Sequence, residues 1–457
     1  MSAASAARRT APALDVVVCE AGGFAAYGMC GIPYFLGGTV PEAEDLLAYS
    51  PSEFRDRRGI DLRLHTRVSA IDSCAHQVQL TGPGGDGSLR YDALIVASGA
   101  TPVRPPVPGL GGPRVFTVRS LDEAIGLRML LEGGSIRHAV VVGAGYIGLE
   151  AAEALVCAGA EVEVIEALPR VLGNVDEPAA ELARAELERH TRLRLGARLR
   201  EVREGGPGPG ALTAVVDGAE IGTDLVVVAT GVRPATDLLI DAGADQLPDR
   251  SVLVDASMRT SLPDVFAAGD CVALHHLVLG RPAWIPLGPA ANKTGRVAGT
   301  VAAGGAAAFA GIAGTAVVKV FGLEVARTGL TLAEARDAGL AAAATDVVSR
   351  SRAKYYPGAQ PLHVRLVHTP EGRLLGGQLA GQEGAAKRID VLATALHAGL
   401  AVTDLAALDL SYAPPFAPVY DPVLAAAIKA CGPVASHPEP AAVSGAGRPT
   451  ATPGGSP

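Results

Sequence analysis

A glycine-rich segment that directly follows a short apolar run restricts the fold more than any other feature of the sequence. The run His138–Val142 leads into G-A-G-Y-I-G at 143–148, and Glu166 comes about twenty residues after the glycines. This spacing predicts a strand, a tight turn, a helix as far as about residue 159, and a second strand at Glu161–Glu166. In such a unit the glycine backbone approaches a pyrophosphate at the helix N-terminus. The segment therefore predicts a dinucleotide-binding domain.

The acidic residue at the end of the second strand also indicates which dinucleotide binds. The Glu166 carboxylate can accept hydrogen bonds from both ribose hydroxyls, and it repels a 2′-phosphate. We therefore predict NADH rather than NADPH, although Arg170 is close enough in the sequence to meet a phosphate. The candidate NAD-binding residues are Gly143, Gly145, Tyr146, Ile147, Gly148, Glu166 and Gly231.

Other apolar runs repeat this pattern and predict a second nucleotide-binding domain. Residues 14–20 form a valine-rich run that ends in an acid, and residues 91–100 form a run that ends in small residues. Residues 224–231 echo the second run, with an acid, an apolar stretch and then A-T-G. Nearly continuous valine and isoleucine predict strands of parallel sheets that are covered on both faces.

A further apolar strand delivers Asp270 directly after Gly269. A carboxylate in that position can accept hydrogen bonds from the ribityl chain of a flavin. A simple turn at the end of a strand is the alternative that the spacing leaves open.

One cysteine, Cys30, lies between two glycines in A-Y-G-M-C-G-I-P-Y at 26–34. Pro33 suits the first turn of a helix, so the thiol is expected near a helix N-terminus. The positive end of the helix dipole favours the thiolate form there. A buried structural cysteine is the alternative from this segment alone.

Composition narrows the functional class. The net charge of −8 and the absence of a basic block argue against a nucleic-acid partner. Six scattered cysteines without a C-x-x-C pair argue against a disulfide framework or a zinc site, and predict a reducing cytoplasm. Residues 297–318 carry no charge, but they are mainly alanine and glycine. We interpret them as a helix, a loop and the start of a strand rather than a membrane span.

As a set, these motifs resemble those of the pyridine nucleotide-disulphide oxidoreductases over about residues 1 to 431. The set consists of Glu20, A-S-G-A at 97–100, G-A-G-Y-I-G at 143–148, A-T-G at 229–231, F-A-A-G-D at 266–270 and P-L-G-P-A-A-N-K-T-G-R at 286–296. The resemblance implies an α/β fold with two Rossmann-like domains, one for FAD and an inserted one for NAD(P)H, plus an α+β C-terminal dimerisation domain. The implied boundaries are 1–115 and 253–320 for the FAD domain, 116–252 for the NAD(P)H domain, 321–431 for dimerisation and 432–457 for a disordered tail. The implied FAD-binding residues are Glu20, Ser98, Gly99, Asp270 and Ala290.

Within this family the chain is similar to a branch that uses a single redox cysteine. The matching motifs are C-G-I-P-Y at 30–34, Y-Y-P-G-A at 355–359 and Y-A-P-P-F at 412–416. The C-x4-C disulfide and H-P-x-x-x-E element of other members are not matched, and H-P-E at 437–439 is a chance echo. The resemblance implies that Cys30 is the redox centre beside the flavin. It also implies that Tyr356 and Tyr412 reach the partner subunit's site in a homodimer, where a phenol can protonate a leaving thiolate. Simple packing at the interface is the alternative role for both tyrosines.

The function implied is that of an FAD-dependent NAD(P)H oxidoreductase that reduces a small disulfide or persulfide, similar to the coenzyme A-disulfide reductases. Two alternatives stay open: an NADH oxidase or peroxidase that cycles Cys30 through sulfenic acid, and a non-catalytic NAD-binding remnant without FAD. Ala26 and Met29 replace the polar residues of the S-x-x-N element before the cysteine, which leaves the disulfide substrate open. Lys387 and Arg388 could meet an anionic substrate, or form a solvated charge pair.

The start of the sequence departs from the family pattern. Residues 1–9, M-S-A-A-S-A-A-R-R, match the inside of the helix that follows the family's first strand and glycine loop. That strand is central in the FAD sheet, and the loop holds the FAD pyrophosphate. We therefore expect neighbouring strands to lack ladder hydrogen bonds, and the 457-residue polypeptide to bind FAD poorly. A start codon assigned too late and a decayed enzyme are the two explanations.

Overall fold

The structure is a computed structural model that describes residues 1–206 and 210–432. The predicted tail from residue 433 onward, with H-P-E at 437–439, lies outside the described residues. The first part of the chain forms several small sheets. Its elements are α1 (Ser2–Thr10), β1 (Val16–Cys19), α2 (Ile32–Leu36), β2 (Ile60–Arg63), β3 (Arg67–Asp72), β4 (Gln77–Gly82), β5 (Gly85–Arg90), β6 (Leu94–Val96), β7 (Ala100–Pro102) and β8 (Val115–Phe116).

The next part of the chain forms a parallel sheet with helices against it. Its elements are α3 (Leu121–Glu132), β9 (His138–Val142), α4 (Tyr146–Cys157), β10 (Glu161–Glu166), α5 (Glu177–Leu187), β11 (Arg192–Leu195), β12 (Leu199–Glu204), β13 (Leu212–Val216), β14 (Ala219–Thr223), β15 (Leu225–Val228) and β16 (Val232–Pro234). Five parallel strands lie in the order β11-β10-β9-β15-β8, and β12, β13 and β14 form a separate antiparallel sheet. All four residues of β15 are buried, as expected for a strand covered on both faces.

The chain then returns to the first region. The elements of this part are α6 (Asp237–Asp241), β17 (Val252–Leu253), β18 (Val265–Ala267), β19 (Val272–His276), β20 (Arg281–Ala283) and α7 (Gly288–Ala302). β18 pairs in parallel with β6, and α7 packs closely against α1. This approach requires glycine, because a side chain at Gly299 would overlap the carbonyl oxygen of Ala3.

The C-terminal part is a five-stranded antiparallel sheet with helices packed against it. Its elements are β21 (Ala316–Val320), β22 (Leu323–Gly329), α8 (Leu332–Asp337), β23 (Ala343–Arg350), β24 (Pro361–His368), β25 (Leu374–Gly381), α9 (Ala385–Ala398), α10 (Val402–Ala406) and α11 (Pro422–Ala430). The strands lie in the order β21-β22-β25-β24-β23. α8 begins at a capping box between Thr331 and Glu334, and α9 ends at Gly399 in the left-handed conformation.

These features confirm the predicted α/β class. The uncharged segment 297–318 is the end of α7, a loop and the start of β21, as predicted. None of the helices among the described residues is long and apolar enough to span a membrane. The exact domain boundaries stay a prediction.

The first region contains an interrupted parallel sheet. Within the described chain, β1 pairs with β2 alone, and β18 pairs with β6 alone, so that the two pairs form separate two-stranded sheets. Among the described residues, each of these four strands therefore has a single ladder partner. As a consequence, every residue of β1 stays half-buried.

Candidate active site

Cys30 lies in a single turn of 3₁₀ helix, Met29–Gly31, immediately before α2. The turn is held by two backbone hydrogen bonds, from Gly28 N–H to Leu46 O and from Gly31 N–H to Gly28 O, each 2.8 Å long. A side chain at position 31 would meet the end of the Leu46 side chain, which would have to shift to make room. This arrangement leaves the Cys30 side chain exposed, which excludes the buried structural cysteine.

The expectation that Cys30 favours the thiolate is wrong. Burial of the surrounding site raises the pKa of the Cys30 thiol, and the carboxylates of Glu150 and Asp270 raise it further, whereas Arg119 acts in the opposite direction. The helix that follows has only five residues and starts after the cysteine, so its dipole acts weakly on the sulfur. Burial, together with two carboxylates from distant parts of the chain, therefore outweighs the dipole.

Glu150 is a site residue that sequence reasoning missed. It lies on α4, four residues after Tyr146, and burial together with the charge of Glu153 raises its pKa to about 7. Glu153 itself is fixed, because it binds the Lys319 ammonium and accepts a 2.8 Å hydrogen bond from the backbone N–H of Phe321. The helical spacing from the glycine-rich segment was the signal that could have identified Glu150.

Asp270 lies at the end of β18, as predicted, on a turn that several other residues support. Gly269 has a φ of +87°, and its N–H donates to Thr294 Oγ1 at 3.2 Å. The indole N–H of Trp284 donates to the Asp270 carbonyl at 2.7 Å. The Asp270 carboxylate lies 3.6 Å from the Arg119 guanidinium. Arg119 and Trp284 carry no sequence signal of their own, whereas Thr294 lies within the motif at 286–296.

The remaining candidate FAD-binding residues differ in whether their polar groups are already hydrogen-bonded within the protein. Glu20 Oε1 accepts a 2.7 Å hydrogen bond from the N–H of Gly22, at the end of β1. Ser98 Oγ donates to the Ala235 carbonyl at 2.5 Å, so its proton is already engaged. The other two are Gly99, with a φ of +71° beside Arg119, and Ala290, which is buried in the first turn of α7.

The fit of a flavin can be tested on the Asp270 carboxylate. No described residue donates a conventional hydrogen bond to this group, and Arg119 is its ion-pair partner. Its oxygens are therefore free to accept hydrogen bonds from ribityl hydroxyls. Gly99 and Gly269, whose positive φ angles favour glycine, also place no side chain of their own beside it. The residues of this turn fit the ribityl part of FAD.

The glycines of the 143–148 segment have separate roles. A side chain at Gly143, where φ is +105°, would overlap the carbonyl of Ala229, and one at Gly148 would overlap the carbonyl of Gly143. These two glycines allow the close contact of strand and helix. Gly145 instead faces open space at the N-terminus of α4. A pyrophosphate can therefore approach the backbone there, and the segment fits a dinucleotide.

Glu166 lies beside this loop. Its Oε2 accepts a 2.7 Å hydrogen bond from Ala144 N–H, and its Oε1 accepts a 2.8 Å hydrogen bond from Leu168 N–H. Arg170 is turned toward the Gly173 carbonyl, to which it donates at 2.9 Å. The other candidates are Tyr146, whose pKa burial raises, the half-buried Ile147, and Gly231, which has a φ of +103° and open space around it.

Tyr356 and Tyr412 lie together on the C-terminal part of the chain. Tyr412 is within 3.2 Å of Tyr355, oxygen to oxygen, and this hydrogen bond raises the pKa of Tyr412. Both predicted tyrosines are exposed, as are Phe416 and Tyr420 nearby. No hydrogen bond of the described residues joins them to Cys30 of the same chain. Such an exposed aromatic cluster is typical of an interaction surface.

The structure assigns Lys387 and Arg388 to other contacts. Lys387 pairs with Asp390, three residues further along α9. Arg388 binds Asp421 at 2.8 Å and also donates to the carbonyl of Ser351 at 2.9 Å. These contacts support the alternative of a charge pair for Lys387 and a structural role for Arg388.

Comparison with known families accounts for most of the chain. Residues 1–304 match the family described as pyridine nucleotide-disulphide oxidoreductase. Residues 315–422 match the dimerisation domain of the same family.

Several characterised proteins are similar to the chain over nearly its whole length. An NAD(P)H sulfur oxidoreductase (CoA-dependent) of Pyrococcus furiosus is 36% identical over 427 residues, which are 93% of this chain and 95% of that protein. An NADH oxidase of Methanocaldococcus jannaschii is 32% identical over 431 residues, 93% of this chain and 95% of that protein. The solved structure of an NAD-dependent persulfide reductase from A. fulgidus is 37% identical, with a TM-score of 0.89 over 94% of this chain and 80% of that one.

Proposed function

The chain belongs to the pyridine nucleotide-disulphide oxidoreductase family, and on this basis we propose that it is an FAD-dependent NAD(P)H oxidoreductase that reduces a small disulfide or persulfide at Cys30. The observation that carries the proposal is the exposed Cys30 thiol, whose pKa responds to charges from both nucleotide-binding regions. Glu150 lies on the helix that follows the dinucleotide loop, and Asp270 on the flavin turn. The charges of both residues act on the Cys30 sulfur, which suits a site between the two nucleotide-binding regions.

The residues that would hold the cofactors follow from the site. Asp270 would bind the FAD ribityl chain and Glu20 the adenosine ribose, while Gly145 and Glu166 would bind the pyrophosphate and ribose of NADH. When bound, FAD accepts a hydride from NAD(P)H and supplies two electrons for sulfur reduction.

Cys30 performs the exchange step with the substrate. Its thiolate attacks one sulfur of the disulfide, and the bond between the two substrate sulfurs breaks as the new S–S bond forms. The displaced thiolate takes up a proton, and Cys30 is left as a mixed disulfide with half of the substrate. Arg119 supports this step, because it is the cation that opposes the raised pKa of Cys30.

The proton for the leaving thiolate would come from a second subunit. We assign this role to Tyr356 and Tyr412 of the partner subunit in a homodimer, since both are exposed and Tyr412 is hydrogen-bonded to a second phenol. The dimerisation domain supports this arrangement. A cytoplasmic location suits the six cysteines, all of which are free.

The second candidate function is that of an NADH oxidase or peroxidase. The similarity to the Methanocaldococcus jannaschii NADH oxidase and the exposure of Cys30 favour it. Cys30 would then be oxidised to a sulfenic acid by peroxide, and the sulfenic acid would be reduced back to the thiol with release of water.

Product analysis distinguishes these functions. The FAD-loaded enzyme is given NADH without oxygen, first with coenzyme A disulfide and then with polysulfide, and finally with oxygen alone. We expect NADH oxidation that depends on an added sulfur substrate, and a loss of at least about a thousandfold in Cys30→Ser. Cys74→Ser, another exposed cysteine, is the matched control and keeps full activity. Oxygen consumption without a sulfur substrate would favour the oxidase, and no turnover with any acceptor would favour the non-catalytic remnant.

A further inference from the structure

Residues 170–176 form a connecting segment between β10 and α5 that contacts the dinucleotide loop. The N–H of Leu172 donates to the Ala144 carbonyl, within G-A-G-Y-I-G, at 2.9 Å. Leu172 is completely buried and has a φ of +47°, a left-handed conformation that leucine rarely adopts. Such a conformation persists only where the surrounding structure imposes it. The contacts that hold the connecting segment therefore also hold the dinucleotide loop.

Asp176, at the end of the connecting segment, is directed at the C-terminal sheet. An aspartate that precedes a helix usually accepts a hydrogen bond from the first turn, but the Asp176 side chain forms none to α5, all of whose residues the structure describes. Its Oδ2 instead accepts from Gln378 Nε2 at 2.6 Å, and its backbone N–H donates to Gln378 Oε1 at 2.8 Å. The Leu332 N–H and the Arg365 guanidinium also face the carboxylate, at 3.1 and 3.6 Å. Asp176 and Gln378 are both buried, so this reciprocal contact is costly to break.

Asn174 provides a second contact between the same parts of the chain. Arg327, on β22, donates to the Asn174 carbonyl and is itself held by the Glu334 carboxylate at 2.6 Å. Burial raises the pKa of the Tyr146 hydroxyl, and both Arg327 and the Asn174 side chain, which is close enough to hydrogen-bond it, act in the opposite direction. Tyr146 directly follows Gly145, the glycine that a pyrophosphate can approach. The C-terminal sheet therefore reaches the dinucleotide loop through two residues of the connecting segment.

We propose that the C-terminal sheet positions the dinucleotide loop for NADH, with Gln378 and Arg327 as positioning residues that act through the connecting segment. This inference rests on the NADH site of the proposed function and is independent of the sulfur substrate. Both residues lie within 315–422, the part that matches the dimerisation domain. A displaced connecting segment would move the loop backbone at which the pyrophosphate binds, so it weakens nucleotide binding and leaves the chemistry at Cys30 unchanged.

Nucleotide binding by the full-length protein saturated with FAD tests the buried contact. NAD⁺ is the probe, because it occupies the NADH site without reducing the flavin, and calorimetry measures its Kd. Gln378→Leu leaves the N–H and the carboxylate of Asp176 without this partner, and we expect the Kd for NAD⁺ and the KM for NADH to rise about tenfold with kcat unchanged. The double variant Asp176→Asn/Gln378→Glu exchanges the acid and the amide, and keeps the carboxylate beside Arg365, the cross-strand neighbour of residue 378. It should return the Kd to within about twofold of the wild-type value.

A second variant tests the contact through Asn174. This residue is exposed, so Asn174→Ala leaves the buried contact intact and is expected to fold. We expect the Kd for NAD⁺ to rise about threefold, because the Tyr146 hydroxyl loses its neighbour. If Gln378→Leu does not fold, Asn174→Ala decides the question in its place.

Glu186→Gln is the matched control, since it weakens another contact between the same two parts of the chain. The buried Glu186 carboxylate accepts a 3.0 Å hydrogen bond from the N–H of Gly322, outside the connecting segment. This variant should lower the Tm and leave the Kd for NAD⁺ unchanged. An unchanged Kd in Gln378→Leu, or an equal rise in Glu186→Gln, overturns the proposal.

The same titration separates this proposal from the proposed function. A wild-type protein that does not bind NAD⁺ refutes the proposed NADH site and the positioning role together. Absence of turnover with every sulfur substrate, combined with the expected differences in Kd, refutes the proposed sulfur reduction alone and supports the positioning role.

Discussion

Each of the two nucleotide-binding regions contains a strand formed by a valine-rich run, and the two strands differ in their surroundings. β15 is completely buried at the inside of a five-stranded sheet, whereas every residue of β1 is half-buried in a sheet of two strands. A valine-rich run is therefore sufficient to form a strand, but its burial depends on how many neighbours flank it. The NAD region is closed, and the FAD region is open along β1.

The largest expected consequence is a difference in local stability. In the cofactor-free protein, we expect backbone amides of β1 to exchange with deuterium about a thousandfold faster than those of β15, because few buried contacts hold β1 in place. Hydrogen exchange with mass spectrometry measures both strands in one experiment. Saturation with FAD should slow the exchange of β1 more than that of β15. Equal protection of the two strands without FAD would show that the open edge has no energetic effect.

A matched pair of substitutions tests the same contrast at single side chains. Val227→Ala, in β15, removes a fully buried side chain and is expected to lower the free energy of unfolding by about 2–3 kcal/mol. Val17→Ala, in β1, removes a half-buried one and should cost less than about 1 kcal/mol. Urea denaturation of both variants measures the difference. Similar costs would mean that β1 is more tightly packed in solution than its burial indicates.

The contrast also explains what could be predicted from the sequence. β9 and β10 begin and end at the predicted residues, because each is a local apolar run next to glycine punctuation. The state of Cys30 could not be predicted, since its pKa is raised by burial and by the charges of Glu150 and Asp270, which are distant in the sequence. Arg119 was missed for the same reason. Local patterns identify strands and loops, whereas burial and long-range charges set the pKa of the thiol.

The acids at the ends of β1 and β10 show where the two regions are alike. Glu20 and Glu166 each accept a hydrogen bond from the backbone N–H two residues further on, at 2.7 and 2.8 Å. We expect Glu166→Gln to lower the preference for NADH over NADPH by about tenfold, because the charge that repels a 2′-phosphate is lost. Glu20→Gln should leave that ratio unchanged and weaken FAD binding instead. Steady-state kinetics with both nucleotides and an FAD titration measure the two effects, and exchanged effects would refute the assignment.

The smallest expected effect concerns the electrostatic influence of Glu150 on the Cys30 thiol. Glu150 belongs to the NAD region but raises the pKa of Cys30 in the FAD region, and its own pKa is about 7. Below pH 7 Glu150 is increasingly neutral, so it opposes the Cys30 thiolate only at higher pH. Glu150→Gln should therefore increase the rate of Cys30 alkylation by iodoacetamide about threefold at pH 8.5, with little change at pH 6. Glu188→Gln, at the end of α5, is the control for loss of a distant carboxylate.

The free energy of unfolding of Glu150→Gln tests the raised pKa of Glu150 independently. The pKa of Glu150 is raised from its usual 4.5 to about 7 in the folded protein, so the folded state holds the proton more tightly than the unfolded chain does. The free energy of unfolding is then expected to fall as the pH rises from 4.5 to 7, and to stay lowered above that range. Glu150→Gln removes this loss, so it should stabilise the protein at pH 8 more than at pH 5. If Glu150→Gln changes the free energy of unfolding equally at pH 5 and pH 8, the pKa of Glu150 is the same in the folded and the unfolded protein. The difference between the effects of this substitution on alkylation at pH 8.5 and at pH 6 should then vanish as well.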